Sequence, residues 1–445
     1  MPSVAFVSLG CAKNLVDTEV MIAKLASAGW QLETEANRAD TVVINTCAFI
    51  DPAKEESTEV ILEHASRKRR GQHLIVAGCL AQRYGVQLQS LVPEIDGVVG
   101  TGAYASIVEL LADVEAGRKP VRLDLIAEPE HDFLPRLVTT PQATAYLKIA
   151  EGCDHPCTFC IIPTLRGKFR SRSEESILAE ARALAAGGAK ELILIAQDTS
   201  MWGRDRGVRR GGLAQLLERL HDVDGLQWIR LLYLYPATVD GELIDAIATL
   251  PKVCKYMDMP LQHAHPEVLR AMRRPSNGER YLEIIEDFRE RVPGITMRST
   301  FIVGFPGETD EHVDYLARWI ERARLDRVGF FEYSAEEGTP AAELPGRVAA
   351  ARRRRRLIAL REAQRLASER ARASRCGSTV RVLAEEYHAG RQAWYGRSQG
   401  EAPGVDGGVY FTGEAKVGEF FEVILDTYDA FDFQGRVSAP ERCAV

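Results

Sequence analysis

The sequence predicts an α/β protein in three parts: a doubly wound parallel sheet, a partial barrel of six βα repeats and a small all-β barrel. Three observations support this prediction. Short β-rich runs alternate with helix-length segments from residue 4 onwards, six more such runs follow residue 143, and short alternating strands separated by Gly, Pro and Asp follow Gly377. Alternating strands and helices are typical of parallel sheets, whereas closely spaced short strands are typical of sandwiches and barrels.

The N-terminal sheet is predicted over residues 1–130. The β-rich runs VAFVSLG, TVVINTC and HLIVAGC are each followed by a helical segment, near residues 14–29 and 52–70 in the first two cases. This order predicts parallel strands joined by helices, as in doubly wound folds. Periodicity is lost in HDFLPRLVTTPQAT, so we expect a linker over residues 131–143.

The central barrel is predicted over residues 144–346. Its six strand candidates, separated by helix-length segments, are YLKIA, ELILI, IRLLY, KYMDM, MRSTFIV and VGFFEY. Six repeats are fewer than the eight of the closed (βα)8 barrel, so we expect a partial barrel of related, TIM-like design. In such barrels the reactive groups gather at the carboxyl ends of the strands.

Residues 347–376 are predicted to form one long polar helix that leads to an all-β domain over residues 377–445. The run Arg352–Arg356 is interpreted as a solvated helix face, with contact to nucleic acid as the alternative. Residues 378–445 hold six Lys and Arg against eleven Asp and Glu, a net charge of −5. A barrel that binds RNA normally carries the opposite sign.

The composition is that of a globular protein with two or three domains, since 46% of the 445 residues are hydrophobic and 27% are charged. No apolar run approaches the roughly 20 residues of a membrane span, and the N-terminus lacks signal-peptide features. We therefore expect a cytoplasmic protein without a membrane partner. Nine cysteines, of which three are clustered, favour metal or redox chemistry over a disulfide framework.

A cysteine triplet directly follows the first barrel strand, in the segment EGCDHPCTFCIIP. Its members Cys153, Cys157 and Cys160 can ligate three irons of a cubane cluster and leave the fourth iron without a protein ligand. That iron can bind the amino and carboxylate groups of S-adenosylmethionine and deliver the electron that yields a deoxyadenosyl radical. The alternative is a zinc site with His155 as a fourth ligand, although no second Cys pair is present.

Three more cysteines lie just past the ends of three predicted parallel strands. Cys11, Cys47 and Cys79 follow in SLGC, INTC and VAGC, at intervals of 36 and 32 residues. Because the carboxyl ends of parallel strands share one edge of a sheet, three thiolates can meet there and hold a second cluster with an open iron. The alternative is that they are small buried residues.

The first triplet, with the following IIPTLRGKFRSR, resembles the radical S-adenosylmethionine superfamily and in particular its methylthiotransferase branch. In that branch an N-terminal domain, a radical barrel and a C-terminal barrel of the TRAM type follow one another. The resemblance implies two 4Fe-4S clusters, of which Cys11, Cys47 and Cys79 hold the auxiliary one, and a reducing protein as electron donor. Three cysteines have no counterpart in the branch and are interpreted as structural thiols: Cys254, Cys376 and Cys443.

Further cofactor contacts are expected at the strand ends, where backbone donors and glycines allow close approach. Beyond the fourth and fifth strands, Gln262 and Gly304 are candidates, although a turn role for the glycine is equally possible. Arg298 can pair with the cofactor carboxylate or with a neighbouring acid. Many superfamily members carry a Gly-Gly-Glu element after the second strand. This chain has Gln197 and Asp198 there, which can substitute.

The resemblance leaves two substrates open, an adenosine in transfer RNA and the β-carbon of an aspartate in small-subunit ribosomal protein twelve. The acidic C-terminal barrel favours a basic ribosomal protein over RNA. The segments VSLGCAKNLVDTE and GRSQGEAPGVDGGVYFTG also look like the ribosomal-protein branch. A third reading, an iron-sulfur electron carrier without catalytic activity, leaves the six-fold barrel unexplained.

Overall fold

The computed structural model describes residues 1–124, 135–141, 143–208 and 210–438. Residues 131–134 and 142 of the predicted linker, and the predicted structural thiol Cys443, lie outside the described residues. Within the described ranges, no helix combines the length and the hydropathy that crossing a membrane requires.

The N-terminal part is a six-stranded parallel sheet with helices on its faces. In chain order its strands are β1 (Ser3–Ser8), β2 (Gln31–Leu32), β3 (Thr41–Thr46), β4 (His73–Ala77), β5 (Gly97–Val99) and β6 (Val121–Arg122). The helices are α1 (Ala12–Ser27), α2 (Asp51–Ser66), α3 (Gly78–Leu91) and α4 (Ile107–Glu115). The spatial order β2-β1-β3-β4-β5-β6, with one apolar cluster on each face, confirms the predicted doubly wound sheet.

The central part contains all six predicted barrel strands, and every pair that the structure records is parallel. They are β7 (Thr144–Lys148), β10 (Glu191–Ile195), β11 (Trp228–Leu231), β12 (Tyr256–Asp258), β13 (Thr296–Val303) and β14 (Arg327–Glu332), and a short hairpin of β8 (Ala150–Glu151) and β9 (Arg170–Ser171) follows β7. The helices are α5 (Ile162–Arg166), α6 (Glu174–Ala186), α7 (Gly212–His221), α8 (Gly241–Thr249), α9 (Pro266–Ala271), α10 (Gly278–Arg291) and α11 (Asp310–Ala323). Two three-stranded sheets, joined by a bridge between Ile229 and Val253, form the partial barrel.

A single helix, α12 (Ala350–Arg375), runs from the barrel to the C-terminal domain. The C-terminal domain is a closed five-stranded barrel, as predicted, with the order β15-β16-β17-β19-β18. Its strands are β15 (Thr379–His388), β16 (Ala393–Arg397), β17 (Val409–Thr412), β18 (Phe420–Tyr428) and β19 (Phe433–Val437). The interpretation of the arginine run as a solvated face is only partly correct, because Arg356 is buried in α12.

The C-terminal barrel lies against the amino ends of the central strands. Arg397 of β16 pairs with Glu191, the first residue of β10, at 2.6 Å. The Tyr256 hydroxyl, at the start of β12, donates to Asp406 at 2.6 Å. Similar contacts join Glu419 to Lys190 before β10, Gln399 to Lys255 before β12, and Glu401 to Arg327 at the start of β14. The C-terminal barrel therefore closes the bottom of the central barrel.

The N-terminal sheet lies at the opposite end, over the carboxyl ends of the central strands. Asp17 of α1 pairs with Lys148, the last residue of β7, at 2.5 Å. Lys54 of α2 pairs with Glu336, beyond β14, at 2.8 Å. Lys13 places its ammonium 3.1 Å from the centre of the Tyr233 ring, just after β11. The carboxyl edges of the two parallel sheets thus face each other at the mouth of the barrel.

Candidate active site

The loop that carries the first cysteine triplet begins directly after β8 and is fixed by backbone contacts. Gly152 has a φ of 82°, and a Cβ there would lie 2.0 Å from the Lys168 carbonyl oxygen, so only glycine fits. The Cys153 amide donates to the Gly167 carbonyl at 3.1 Å. Thr158 donates through its amide to Met272 and through its hydroxyl to Ala271. These contacts hold the loop at the mouth.

The thiols of this triplet lie in a low-dielectric environment. Burial raises the pKa of Cys153 to about 11 and that of Cys160 to about 12, and neighbouring thiolates add to both shifts. Cys153 is buried, and Cys157 and Cys160 are partly buried. Clustered thiols of raised pKa suit a metal centre, since metal binding displaces their protons. The soft sulfur donors fit zinc or iron-sulfur clusters.

His155 has other partners than a zinc ion. Its ring stacks on Tyr235 with a centroid distance of 3.6 Å, and its Nε2 atom lies 2.7 Å from the carboxylate of Asp198. A tetrahedral zinc with Zn–S bonds of about 2.3 Å would bring its sulfur ligands to about 3.8 Å from one another. Within the described part of the chain, no group of three Cys ligand atoms lies within 4.8 Å of one another. Both observations disfavour a zinc site built on this triplet with His155 as its fourth ligand.

The second triplet is brought together by three neighbouring strands, β1, β3 and β4. Cys11 precedes α1, Cys47 follows β3, and Cys79 lies in the first turn of α3. A Cβ placed on Gly10, whose φ is 90°, would lie 3.2 Å from the Cys47 sulfur. Burial raises the pKa of Cys79 to about 12, and the charges of Cys11 and Cys47 raise it further. The three isolated cysteines therefore share one site.

Arg166, at the end of α5, links the two triplets. Its Nη2 atom lies 3.8 Å from the Cys79 sulfur and donates to the side chain of Asn14. Its Nη1 atom donates to Glu151 at 3.0 Å, two residues before Cys153. Burial raises the pKa of Glu151, but the charges of Arg166 and Lys148 outweigh this and hold it well below its usual value. One buried guanidinium thus contacts groups beside both triplets.

Two of the sequence-predicted cofactor residues retain unused polar atoms or unusual backbone at the mouth. Gln197 donates through Nε2 to Glu151 at 2.7 Å, whereas its Oε1 atom is buried without a partner among the described residues. Gln262 has a φ of 72°, and its backbone N–H donates to the Thr300 carbonyl oxygen at 2.8 Å. Such a strained position, in a non-glycine residue, is typical of functional sites.

The other two predicted cofactor residues are engaged within the protein. The amide of Gly304 donates to the Glu308 carboxylate at 3.0 Å. Arg298 pairs with Asp258 at 2.7 Å and approaches Asp406 at 3.6 Å. The neighbouring-acid alternative therefore describes Arg298 in this structure, and its contact with a cofactor carboxylate stays a prediction.

Sequence reasoning missed two buried arginines beside cysteine ligands. Arg166 is one, and Arg274, after α9, is the other, with its Nη1 atom 3.8 Å from the Cys157 sulfur. The Arg274 guanidinium also lies 4.2 Å from the centre of the Tyr235 ring. Its sequence context, RRPSNGE, gives no signal of this role. Arg166 stands within the segment that carries the family resemblance, which is the one signal that could have marked it.

A third cluster of potential ligands is unsuited to a metal. His265, Glu267 and His312 form the one group of three metal-ligating side chains that meets the 4.8 Å spacing in the described ranges. Both imidazole Nδ1 atoms accept a backbone hydrogen bond, at 3.3 and 3.2 Å. Each neutral ring therefore keeps its proton on Nε2, the nitrogen that a metal would need. The remaining described cysteines, Cys254 and Cys376, are unpaired thiols.

Comparisons with known proteins match all three parts. Residues 147–320 match the model of the radical SAM superfamily, residues 3–100 that of the uncharacterized protein family UPF0004, and residues 376–437 that of the TRAM domain. The ribosomal protein uS12 methylthiotransferase RimO of Symbiobacterium thermophilum is 46% identical, over 98% of this chain and 91% of its own length. The RimO proteins of Desulforamulus reducens and Geobacter sulfurreducens are 44% identical, over 98% of this chain and 100% and 98% of their own lengths.

Solved structures share the fold at low identity. The radical S-adenosylmethionine methyltransferase TsrM from Kitasatospora setae, with cobalamin and a [4Fe-4S] cluster bound, has a TM-score of 0.56 at 18% identity and covers 77% of both chains. The cobalamin-dependent S-adenosylmethionine radical enzyme OxsB has a TM-score of 0.51 at 13% identity, over 77% of this chain and 54% of its own.

Proposed function

The chain belongs to the ribosomal protein uS12 methylthiotransferase family of radical S-adenosylmethionine enzymes, and from this premise we propose that it transfers a methylthio group to uS12. We place the reaction on the β-carbon of an aspartate and assign the chain to the cytoplasm. The similarity to ribosomal protein uS12 methylthiotransferases over 98% of this chain supports a protein substrate over transfer RNA. We keep the predicted division into residues 1–130, 144–346 and 377–445, joined by the linker and α12.

Two 4Fe-4S clusters are assigned to the two cysteine triplets. Cys153, Cys157 and Cys160 hold the cluster that binds S-adenosylmethionine, and Cys11, Cys47 and Cys79 hold the auxiliary cluster. The support is that each triplet is a convergent set of thiols without a zinc-like spacing. When bound, these groups supply the radical that removes a hydrogen atom and the sulfur that is transferred. A reducing protein delivers the electron.

The protein's own side chains bind, orient and exclude water. Gln197, with its free Oε1 atom, and Gln262 are proposed to contact S-adenosylmethionine. Gly304, whose missing Cβ leaves room for the Arg353 side chain, is proposed to contact it through its backbone. Arg298 would have to exchange Asp258 for the cofactor carboxylate, and we assign it this role with Asp258 as its partner in the free enzyme. No proton transfer by a general base is needed, so none of these residues is assigned one.

The single observation that carries the two-cluster proposal is the contact of Arg166 with Cys79 on one side and Glu151 on the other. It supports two metal centres that face one chamber closed by the N-terminal sheet. Each centre alone would serve only half of the reaction, because the radical and the sulfur must meet at the same substrate carbon.

The test is to reconstitute the enzyme without oxygen and to count iron and sulfide. We expect about eight irons per chain, and about four would remove the auxiliary cluster from the proposal. The reconstituted enzyme is then incubated with uS12, with small ribosomal subunits and with unmodified transfer RNA, and each product is weighed by mass spectrometry. A methylthio group found only on the RNA would replace the proposed substrate by the alternative one.

A further inference from the structure

The positive charge of this acidic protein is concentrated on one helix. Helix α12 holds ten arginines and two glutamates, a net charge of +8, whereas the whole chain carries −7. Such segregation produces a strong local potential that attracts polyanions. The acidic C-terminal barrel, by contrast, offers little to a phosphate backbone.

The arginines in the first half of α12 divide into two sets. Arg353 and Arg356 point towards the barrel, where they pair with Glu332 at 3.1 Å and with Glu308 at 2.9 Å. Three others, Arg352, Arg354 and Arg355, are exposed, and so is Arg361 two turns later. In the described part of the chain, none of these four makes an ion pair within 4.0 Å. We call Arg352, Arg354, Arg355 and Arg361 the outer arginines.

The outer arginines stand where cations destabilise a helix. The first turn of α12 contains no acidic residue, and the run of arginines begins within it. Cations near a helix N-terminus oppose the macrodipole, and like charges three or four residues apart repel each other. The inward pair anchors the helix, whereas the outer arginines add repulsion, which the longer-range attraction of Asp310 to Arg352 and Arg355 offsets in part. An anionic ligand would relieve this repulsion.

The outer arginines also lie beside the mouth of the barrel. Arg353 packs its side chain across Gly304, just beyond the carboxyl end of β13, where a Cβ would lie 2.3 Å from its Cδ atom. Ahead of α12, the Ala341 amide donates to the Thr158 carbonyl, in the loop of the first cysteine triplet, at 2.9 Å. A ligand of the outer arginines would therefore lie next to the place where a substrate enters.

We propose that the outer arginines bind the phosphate backbone of ribosomal RNA next to the protein substrate. The inference rests on the proposed function, because uS12 in an assembled small subunit is surrounded by RNA. The acidic C-terminal barrel and the basic rim then have different tasks. The barrel closes the bottom of the central domain, and the rim positions the enzyme on an RNA-containing particle.

The experiment compares the full-length enzyme with the triple variant Arg354→Gln, Arg355→Gln and Arg361→Gln. Binding to a fluorescent hairpin of small-subunit RNA is measured by anisotropy over a range of salt concentrations. Each lost phosphate contact lowers the slope of log K against log salt by about 0.9 on duplex RNA, taking the DNA value, so we expect a decrease of about 2 to 3. Affinity at low salt should fall about tenfold or more.

A matched control replaces three exposed arginines that also make no ion pair among the described residues: Arg38→Gln, Arg70→Gln and Arg182→Gln. Arg38 and Arg70 precede β3 and β4, so they lie at the amino edge of the N-terminal sheet, away from the mouth. This control should bind RNA as the parent enzyme does. Equal affinities and slopes for the two triple variants would overturn the inference.

Activity separates this inference from the proposed function. For methylthiolation of small subunits, kcat/KM should fall in the triple variant, whereas the rate on isolated uS12 should be that of the parent. Undiminished binding to small subunits whose RNA has been digested with nuclease would assign the outer arginines to a protein partner and overturn the inference. A parent enzyme that modifies neither form of uS12 would overturn the proposed function instead, whatever the hairpin binding shows.

Discussion

Buried charged groups close both ends of the central barrel. The two ends differ in how many hydrogen-bonding atoms of the functional side chains have partners. At the bottom, Arg397 engages all three guanidinium nitrogens, with Glu191, Glu385, Thr144 and the Glu401 carbonyl as acceptors. At the mouth, buried atoms remain without partners in the described residues: Gln197 Oε1, His263 Nε2 and Arg274 Nε. The six cysteines lie at the same end.

The difference separates charges that hold domains together from charges that serve a reaction. A buried ion pair adds little net stability, but breaking one leaves an uncompensated charge. The dense hydrogen bonding of Arg397 and Glu191 therefore fixes how the C-terminal barrel docks, although Trp228 Nε1 at the same end is buried without a hydrogen-bond partner among the described residues. Incomplete satisfaction at the mouth costs stability and leaves donors and acceptors for a cofactor and a substrate.

Replacing one cysteine triplet at a time should have the largest effect on activity. If neither replacement affected activity, the triplets would be structural, and the mouth would not differ from the bottom in serving a reaction. We expect both the Cys11→Ala, Cys47→Ala, Cys79→Ala variant and the Cys153→Ala, Cys157→Ala, Cys160→Ala variant to lose methylthiolation entirely and to hold about half of the parent iron. The variant that lacks Cys11, Cys47 and Cys79 should still cleave S-adenosylmethionine to 5′-deoxyadenosine, because its radical site is intact.

The Cys254→Ala variant is the control for this experiment, since this buried thiol lies outside both triplets. It should keep the parent iron content. If the variant with alanine at Cys11, Cys47 and Cys79 kept both the iron content and the methylthiolation of the parent, these three cysteines would be packing residues.

Replacing Arg166 should uncouple the cleavage of S-adenosylmethionine from the transfer of the methylthio group. Arg166→Gln leaves the carboxylates of Asp17 and Glu151 with Lys148 as their common partner, and losing one member of a buried charge network costs about 3 to 5 kcal/mol. We expect methylthiolation to fall about 100-fold while 5′-deoxyadenosine is still formed, because the first triplet stays in place.

Arg166→Lys distinguishes positioning from charge alone. Lysine keeps the charge but loses the planar fork that reaches Asn14, Asp17 and Glu151 together. The measurement is the ratio of methylthiolated product to 5′-deoxyadenosine. If this ratio is the same in Arg166→Lys as in the parent enzyme, the charge of residue 166 matters and its geometry does not. Loss of cleavage and transfer in equal proportion in Arg166→Gln would point to simple unfolding, which thermal melting checks.

The contrast between the ends also explains which features the sequence could predict. Strands and the convergence of Cys11, Cys47 and Cys79 follow from local periodicity and from the rule that parallel strands share a carboxyl edge. The position of the C-terminal barrel depends on pairs such as Arg397 with Glu191, which are 206 residues apart. Arg166 and Cys79, 87 residues apart, likewise share no local pattern. The net charge of the C-terminal barrel favoured a protein substrate in the sequence analysis, but it could not place the barrel at the bottom of the central domain.

A break at the bottom should affect stability far more than catalysis. Arg397→Met leaves Glu191 buried with Arg230 as its one remaining ion-pair partner among the described residues, and we expect the free energy of unfolding to fall by about 3 to 5 kcal/mol. The kcat of the protein that remains folded should change less than about threefold, since the two cysteine triplets lie at the opposite end of the central barrel. Urea unfolding and initial rates at a temperature below the transition measure both.

The double variant Arg397→Met, Glu191→Leu tests the reason for that loss. It removes both charges, so most of the stability should return, as is observed when buried ion pairs are replaced by apolar residues. A double variant no more stable than Arg397→Met would mean that the pair is not the cause.

The pH dependence of stability involves single protons and gives each end its own pH window. Burial raises the pKa of Glu191 and of Glu401, but neighbouring arginines outweigh this and bring both to about 2. Burial lowers the pKa of His263 to about 3. All three folded values lie below the unfolded ones, so each group stabilises the protein above its unfolded pKa and loses this contribution as pH falls.

The unfolded values set the order in which the two ends weaken on acidification. The mouth should lose stability first, as pH falls from about 6.5 towards 3 and the unfolded chain binds a proton at His263. Burial raises the pKa of the neighbouring Glu308 to about 6, so its protonation in the folded protein offsets part of this loss below pH 6. The bottom should follow between about 4.5 and 2. A single proton contributes at most about 1.4 kcal/mol per pH unit, so urea unfolding at intervals of half a pH unit resolves the two steps. His263→Gln should flatten only the upper step and Glu401→Gln only the lower one; a His263→Gln variant with the parent's slope between pH 6.5 and 4.5 would mean that this histidine is not buried as a neutral ring.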